Sequence, residues 1–359
     1  MAGRGVLALS PRLAGFAGTG GLGVLALVLD VAGVSPSLIV LLSAAAIGGL
    51  AWIVGLATEQ LGAATGPKIS GVLNVAFGNA AEIVITIFAL RQGLSTLVKA
   101  SITGSILSNM LLVLGLSMLT GGLRHGMQRF SQTVAGLNAA MLTLAVIGLI
   151  VPAVFAQTLP VGDPNAVEHL SIGIGVVLMV TYLLSLVFFF QTPEAGGETS
   201  AKAEAPDWGI GRSIVVLAIA AVGLTVLSEV LVGALEPSLE SWGITEAFAG
   251  LILVPLIGNA SESLVAVQLA LRNDMEFSMV VSLGASLQVA LFVAPLLIFI
   301  SELFSKPLDL VFTPLEIITV ALSAVIVNII ANDGRSHWFE GAQLLAVYAI
   351  VALAFWFYP

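Results

Sequence analysis

Two glutamates, Glu82 and Glu262, stand in otherwise apolar surroundings at matched positions, since residues 78–82 read GNAAE and residues 258–262 read GNASE, 180 residues further on. A carboxylate near the centre of a bilayer costs at least about 2.5–3.5 kcal/mol on insertion scales. Two such costs at equivalent positions require a compensating ligand, and two negative charges together neutralise a divalent cation. Asn79 and Asn259 precede the glutamates by three residues, which places an amide oxygen on the same helical face. Gly78 and Gly258 weaken the helix there, so that backbone carbonyls can turn toward an ion, and Pro255 kinks the second copy just before it. Carboxylate, amide and carbonyl oxygens without sulfur or imidazole form a calcium-type ligand set. The competing reading, a buried salt bridge, lacks a Lys or Arg in either helix core.

The helix after each motif adds polar groups at matched depth. The first carries GSILSN, with Ser105, Ser108 and Asn109; the second carries GASLQ, with Ser286 and Gln288, and Ser108 aligns with Gln288. These are candidate second oxygen donors. For Ser105, Ser286 and the glycines, close helix packing explains the small side chains at least as well.

The elements that position these residues are membrane helices. The chain has 359 residues, 58% hydrophobic and 9% charged, with a mean hydropathy of +1.09. A soluble domain carries roughly 25% charged residues, so this composition excludes one. Apolar stretches between Gly, Pro and charged residues predict eleven spans, at 13–33, 36–61, 70–91, 98–120, 132–154, 169–190, 210–235, 245–271, 277–301, 312–332 and 338–357. Arg4 and Arg12 ahead of the first span also fit a secretory signal, although Asp30 lies within that stretch. The offset of 180 also relates Gly104 to Gly284, Leu107 to Leu287, Leu111 to Leu291 and Val113 to Val293. The expected fold is therefore an all-α polytopic membrane protein in four parts. A tail and first helix (1–35) precede a five-helix repeat (36–190), an acidic cytoplasmic linker (191–209) and a second repeat (210–359). An odd number of spans per repeat inverts the second copy, an architecture of secondary transporters with the substrate site near the midplane.

Charge fixes the expected orientation. Nine basic residues (Arg4, Arg12, Lys68, Arg124, Arg129, Lys202, Arg212, Arg272 and Arg335) fall on the side of the N-terminus, and Arg91, Lys99 and Lys306 on the other. That bias puts the N-terminus in the cytoplasm and the C-terminus outside. Compact loops and the lack of a targeting extension point to a bacterial plasma membrane. The absence of cysteine excludes a disulfide framework, a thiolate metal site and a cysteine nucleophile, and three histidines do not make a zinc site. No basic run supports nucleic-acid binding, and no nucleophile and base pair or phosphate loop marks an enzyme. The expected partners are the transported ions and the bilayer, with no resident cofactor; a homo-oligomer is compatible with the sequence.

GNAAEIVI with GSILSNMLLVLG, and GNASESLVAV with GASLQVALFVAP, resemble the two signature regions of the calcium/proton exchanger family, the proton-coupled branch of the calcium/cation antiporters. The resemblance extends over nearly the whole chain, including TEQ and GVLN before the first motif. The sodium/calcium branch typically has a GTS and PE pattern where this chain has GNA and E, which favours protons as the coupling ion. The resemblance implies that Glu82 and Glu262 bind the cation and exchange protons, that Asn79 and Asn259 flank them and that Gln288 lines the site. It further implies a role in proton passage for Glu59 and Glu229, which an interfacial position near a helix end would explain equally. Ser263 replaces a histidine found in many members, and Ala285 replaces a hydroxyl residue. The expectation is a Ca2+/H+ antiporter exporting Ca2+ by alternating access. Na+/H+ or Mn2+/H+ exchange on the same scaffold, and a passive calcium channel, remain the alternatives.

Overall fold

The computed structural model describes residues 11–158, 164–191, 207–304 and 306–358. The acidic stretch from Glu194 to Glu204 lies outside them. Helix α1 (Pro11–Val31) leads to α2 (Pro36–Thr65), and the next span is broken into α3 (Pro67–Phe77) and α4 (Ala80–Gln92). The following span runs from α5 (Ser95–Leu107) through a π-helical turn, π1 (Ser108–Val113), into α6 (Leu114–His125). Strand β1 (Gln128–Arg129), α7 (Gln132–Thr158) and α8 (Pro164–Gln191) complete the first half.

The second half repeats this order. Helix α9 (Ile210–Trp242) is followed by a span made of α10 (Glu246–Phe248), π2 (Ala249–Leu253), α11 (Val254–Gly258) and α12 (Ala260–Leu271). Then come α13 (Met275–Gln288), π3 (Val289–Val293) and α14 (Ala294–Leu303) as one span, α15 (Pro314–Ala331), strand β2 (Arg335–Ser336) and α16 (Trp338–Trp356). Among the described residues nine helices are long and apolar enough to cross a membrane, and the pair Glu246–Gly258 with Ala260–Leu271, bent by 62°, makes a tenth. Helix α1 offers only a shorter apolar stretch, Gly15–Val31, so the expected eleven spans are met only if α1 also crosses.

Two differences from the expected boundaries have local causes. Helix α9 continues through Pro237 instead of stopping before it. Both Pro237 and Gly233, whose carbonyl the proline leaves free, are exposed, so solvent or headgroups can meet that carbonyl. The π turns were not foreseen. Two of them, π1 and π3, recur at matched places in the halves, at 108–113 and 289–293, while π2 has no counterpart because 69–73 lie within α3.

The described core centres on α5 with π1 and α13 with π3, whose spans are the most buried of all. Hydroxyl side chains there and in neighbouring helices bond to carbonyls of their own helix, as Ser43 does to Ile39 and Thr86 to Glu82. That local bonding is how such residues are tolerated away from water.

The loops sort into two ends. His125 contacts the Leu271 carbonyl at 2.8 Å, Gln128 donates to the Ala270 carbonyl and to Asn273, and β1 pairs antiparallel with β2. This gathers Arg124, Arg129, Arg272 and Arg335 at one end. At the other, Lys99 pairs with Asp309 and donates to the Val311 carbonyl, and Lys306 donates to the Arg91 carbonyl. For these seven residues the grouping matches the partition read from the sequence.

Candidate functional site

The two broken spans meet where their helices stop. The first break takes in Gly78 and Asn79, and the second falls on Asn259, one residue beyond its glycine: Asn79 (φ −102°, ψ 28°) precedes α4 and Asn259 (φ −95°, ψ 15°) precedes α12. Neither asparagine side chain caps its helix, which leaves both amides available. The larger bend in the second span follows from Pro255, which has Val75 at the equivalent position and follows directly on the wide turn π2.

Glu82 and Glu262 each occupy the first turn of the helix that restarts after the break. The partial positive charge of a helix N-terminus favours a carboxylate there, while the half-helices ending at Phe77 and Gly258 turn their carbonyl ends toward the same region. Gly258 lies directly against Glu82: a Cβ added to it would come within 3.2 Å of the Glu82 Cβ. Glu262 stands one helical turn beyond Gly258, on the helix that restarts there.

Several oxygens in this region have no hydrogen-bond partner. Glu82 Oε1 accepts from the Ser105 hydroxyl, but Glu82 Oε2, Asn79 Oδ1 and both polar atoms of the Asn259 amide are buried and unpartnered. Leaving such groups bare costs about 1–3 kcal/mol each, which a cation would offset. No cluster of three His, Cys, Asp or Glu side chains occurs among the described residues.

The matched positions are not used alike. Ser105 holds Glu82, whereas Ser286 donates to the Ile106 and Ser282 carbonyls and Glu262 accepts instead from its neighbour Ser261 at 2.9 Å. The sequence reading left Ser105 open to simple packing and did not single out Ser261, whose position beside Glu262 was the available signal. Gln288 donates to the Val75 carbonyl at 2.9 Å and the Asn74 carbonyl at 3.4 Å, so its amide nitrogen holds the end of α3 while its oxygen lies near Gly78. Ser108 opens π1, buried and beside the Tyr348 hydroxyl of α16. Glu59 and Glu229 are exposed on α2 and α9, apart from the glutamate pair. Glu59 lies on the same face of α2 as Gly48, whose added Cβ would be 3.9 Å from Ala260 beside the break.

The two halves of each broken span differ in exposure. The halves α4 and α11 are largely buried, with Ile85 at 0% and Val254 at 2% exposed, while α3 exposes Ile69 and Val72 and α12 exposes Leu264 and Val265. Because the two spans run antiparallel, the exposed halves lie at the same end, that of Arg124, Arg272 and Arg335. Glu82 is 1% exposed, and Glu262, nearer that end, is half-buried.

The chain matches the family described as sodium/calcium exchanger protein over residues 35–191 and 212–357. It is 41% identical over 339 residues to the Ca(2+)/H(+) antiporter of Synechocystis sp., covering 89% of this chain and 91% of that protein. It is 39% identical over 325 residues to the vacuolar calcium ion transporter of Schizosaccharomyces pombe, covering 89% of this chain and 79% of that protein. Among solved structures, native YfkE superposes with a TM-score of 0.83 at 33% identity, over 95% of this chain and 99% of that one.

Proposed function

Because the chain belongs to the calcium/proton exchanger branch of the sodium/calcium exchanger protein family, we propose that it exchanges Ca2+ for H+ by alternating access at the Glu82 and Glu262 site. The observation that carries this reading is the set of buried, unpartnered oxygens on Glu82, Asn79 and Asn259, where the two breaks meet with Gly258 against Glu82. Proton and cation compete there for the same carboxylates, since a low-dielectric site tolerates the pair when neutralised by either. Two protonated glutamates and two ionised glutamates with Ca2+ carry the same net charge. The empty, ionised pair carries two uncompensated charges through a low-dielectric interior, which is strongly unfavourable. Coupling follows from that difference.

In this reading the two halves form an inverted repeat, the exposed halves α3 and α12 open to the cytoplasm, and protons entering down their gradient drive Ca2+ out. The bias of basic residues supports that orientation. Glu59, on the α2 face that passes the start of α12, lies on the way in from that side and relays protons to Glu262; Glu229 has the corresponding place on α9.

The test is calcium uptake into everted vesicles driven by an imposed pH gradient. Uptake that a protonophore abolishes and that a Na+ gradient cannot replace is the expected result. Flux indifferent to the proton gradient indicates a passive channel and overturns the proposal, and Mn2+ or Cd2+ competition ranks the cations.

Asn259 gives a second check, on binding alone. Its amide is buried without partners, so Asn259→Leu removes an unsatisfied group and is expected to raise the melting temperature of the calcium-free protein. Saturating Ca2+ stabilises the wild type by about 2.7 kcal/mol at a hundred times Kd. The leucine variant is expected to lose most of that rise, and a full calcium-dependent rise in it removes Asn259 from the site.

A further inference from the structure

A cavity of about 210 Å³ lies between α7, α8 and α13, with apolar walls from Met141, Leu186, Phe189, Val280 and Leu287. None of its walls belongs to α3, α4, α11 or α12, so it is separate from the glutamate pair. Gly284 of α13 also faces it, and a Cβ added there would meet nothing within 4 Å. Helix α8 is the least buried of the candidate spans, at 17%, and exposes Leu183, Leu184 and Phe188 beside the cavity wall. The approach to the cavity is therefore from hydrocarbon, across α8.

Two polar side chains interrupt this apolar lining. Asn138 is 5% and Tyr182 6% exposed, and both line the cavity. Neither the amide of Asn138 nor the hydroxyl of Tyr182 has a hydrogen-bond partner among the described residues. Ser185, the third polar residue there, is satisfied, since its hydroxyl donates to the Tyr182 carbonyl at 2.7 Å. A buried polar group left without a partner costs about 1–3 kcal/mol. Leucine and phenylalanine would fill the same two places without that cost. No Asp, Glu, Lys, Arg or His lines the cavity.

We propose that this cavity binds one uncharged, single-ring phenol that enters from the membrane, with its hydroxyl shared between Asn138 and Tyr182 and its ring among Met141, Phe189 and Val280. A hydroxyl accepts from the Tyr182 O–H and donates to the Asn138 amide oxygen, so one group satisfies both side chains. An apolar cavity of about 150 Å³ holds a benzene ring, and the larger space here takes a ring with a short substituent. The uncharged walls exclude an ion, and an acyl chain would leave both polar groups bare. Leu287 in the wall precedes Gln288, whose amide holds the end of α3, so the occupant sits one residue from a group of the glutamate site.

The melting temperature of the purified chain in one detergent, titrated with para-propylphenol or with propylbenzene, reads binding without any transport measurement. The phenol is expected to raise it saturably, and propylbenzene, which lacks the hydroxyl, to bind about tenfold more weakly. Tyr182→Phe keeps the ring and its packing, and is expected to weaken the phenol about tenfold while leaving propylbenzene unchanged. Asn138→Leu is expected to do the same. Val280→Trp, which fills the cavity, is expected to abolish the rise. The absence of a saturable rise in the wild type, equal binding of the two probes, or undiminished binding of the phenol in any of the three variants each overturns the proposal.

Discussion

Glu82→Gln and Glu262→Gln are each expected to abolish calcium uptake driven by a pH gradient, with the protein still present in the membrane at wild-type abundance. The amide keeps the shape of the side chain and can still accept from Ser105 or Ser261, so the local hydrogen bonds that hold each glutamate survive. What is lost is one negative charge of two. With a single carboxylate the calcium-loaded site carries a net positive charge in a buried region, a cost on the scale of about 3 kcal/mol or more, which is at least about a hundredfold in affinity. The proton branch fails as well, because an amide does not titrate. The two variants should differ in one respect. Glu82 is sealed at 1% exposure and Glu262 is half-buried toward the basic end, so residual binding from that side is expected to be weaker in Glu82→Gln. Full uptake in either variant removes the paired-glutamate mechanism. Calcium-dependent stabilisation equal to wild type in both shows that the cation binds elsewhere.

The parts of this arrangement that sequence reveals are those tied to composition and repetition. Scarcity of charge isolates Glu82 and Glu262, and the shared offset of 180 pairs them and their helices. Helix existence followed from apolar length, and the break of each motif helix was anticipated to within one residue, because glycine and asparagine weaken a helix in any context. What sequence conceals is how differently the copies are used. Ser105 and Ser286 are equivalent by offset, yet one holds a glutamate and the other a carbonyl across the interface. Ser108 and Gln288 align, yet Gln288 reaches to the end of α3 while Ser108 stays beside Tyr348. The two copies share residues, yet the molecule does not use them symmetrically. A pattern of residues encodes both members of a pair and cannot say which contact each one makes. The π turns were hidden for another reason: they depend on packing of the surrounding helices, not on any residue within them.

That asymmetry yields the second large effect, from one substitution made at two equivalent positions. Gly104 and Gly284 are 180 residues apart. A Cβ on Gly104 would lie 2.2 Å from the Leu251 carbonyl oxygen and 2.6 Å from its carbonyl carbon and Cα, and one on Gly250 would lie 2.5 Å from the Leu97 oxygen. Helix α5 and π2 are therefore in close backbone contact. Backbone cannot give way as a side chain does, so Gly104→Val is expected to cost more than the 1–3 kcal/mol typical of overpacking and to leave little folded protein. Gly284→Val meets open space and is expected to accumulate and melt as the wild type does. In the alternating access proposed above, the two states of the inverted repeat exchange these environments. The counterpart of Leu251 is Gly71 on α3, the half-helix now exposed, so closing the basic end brings α3 onto α13 at Gly284. A valine there blocks that approach. Gly284→Val is thus expected to fold, to bind Ca2+ with wild-type stabilisation and to fail in uptake. Wild-type uptake by Gly284→Val overturns the exchange of environments, and normal folding of Gly104→Val overturns the backbone seal on which it depends.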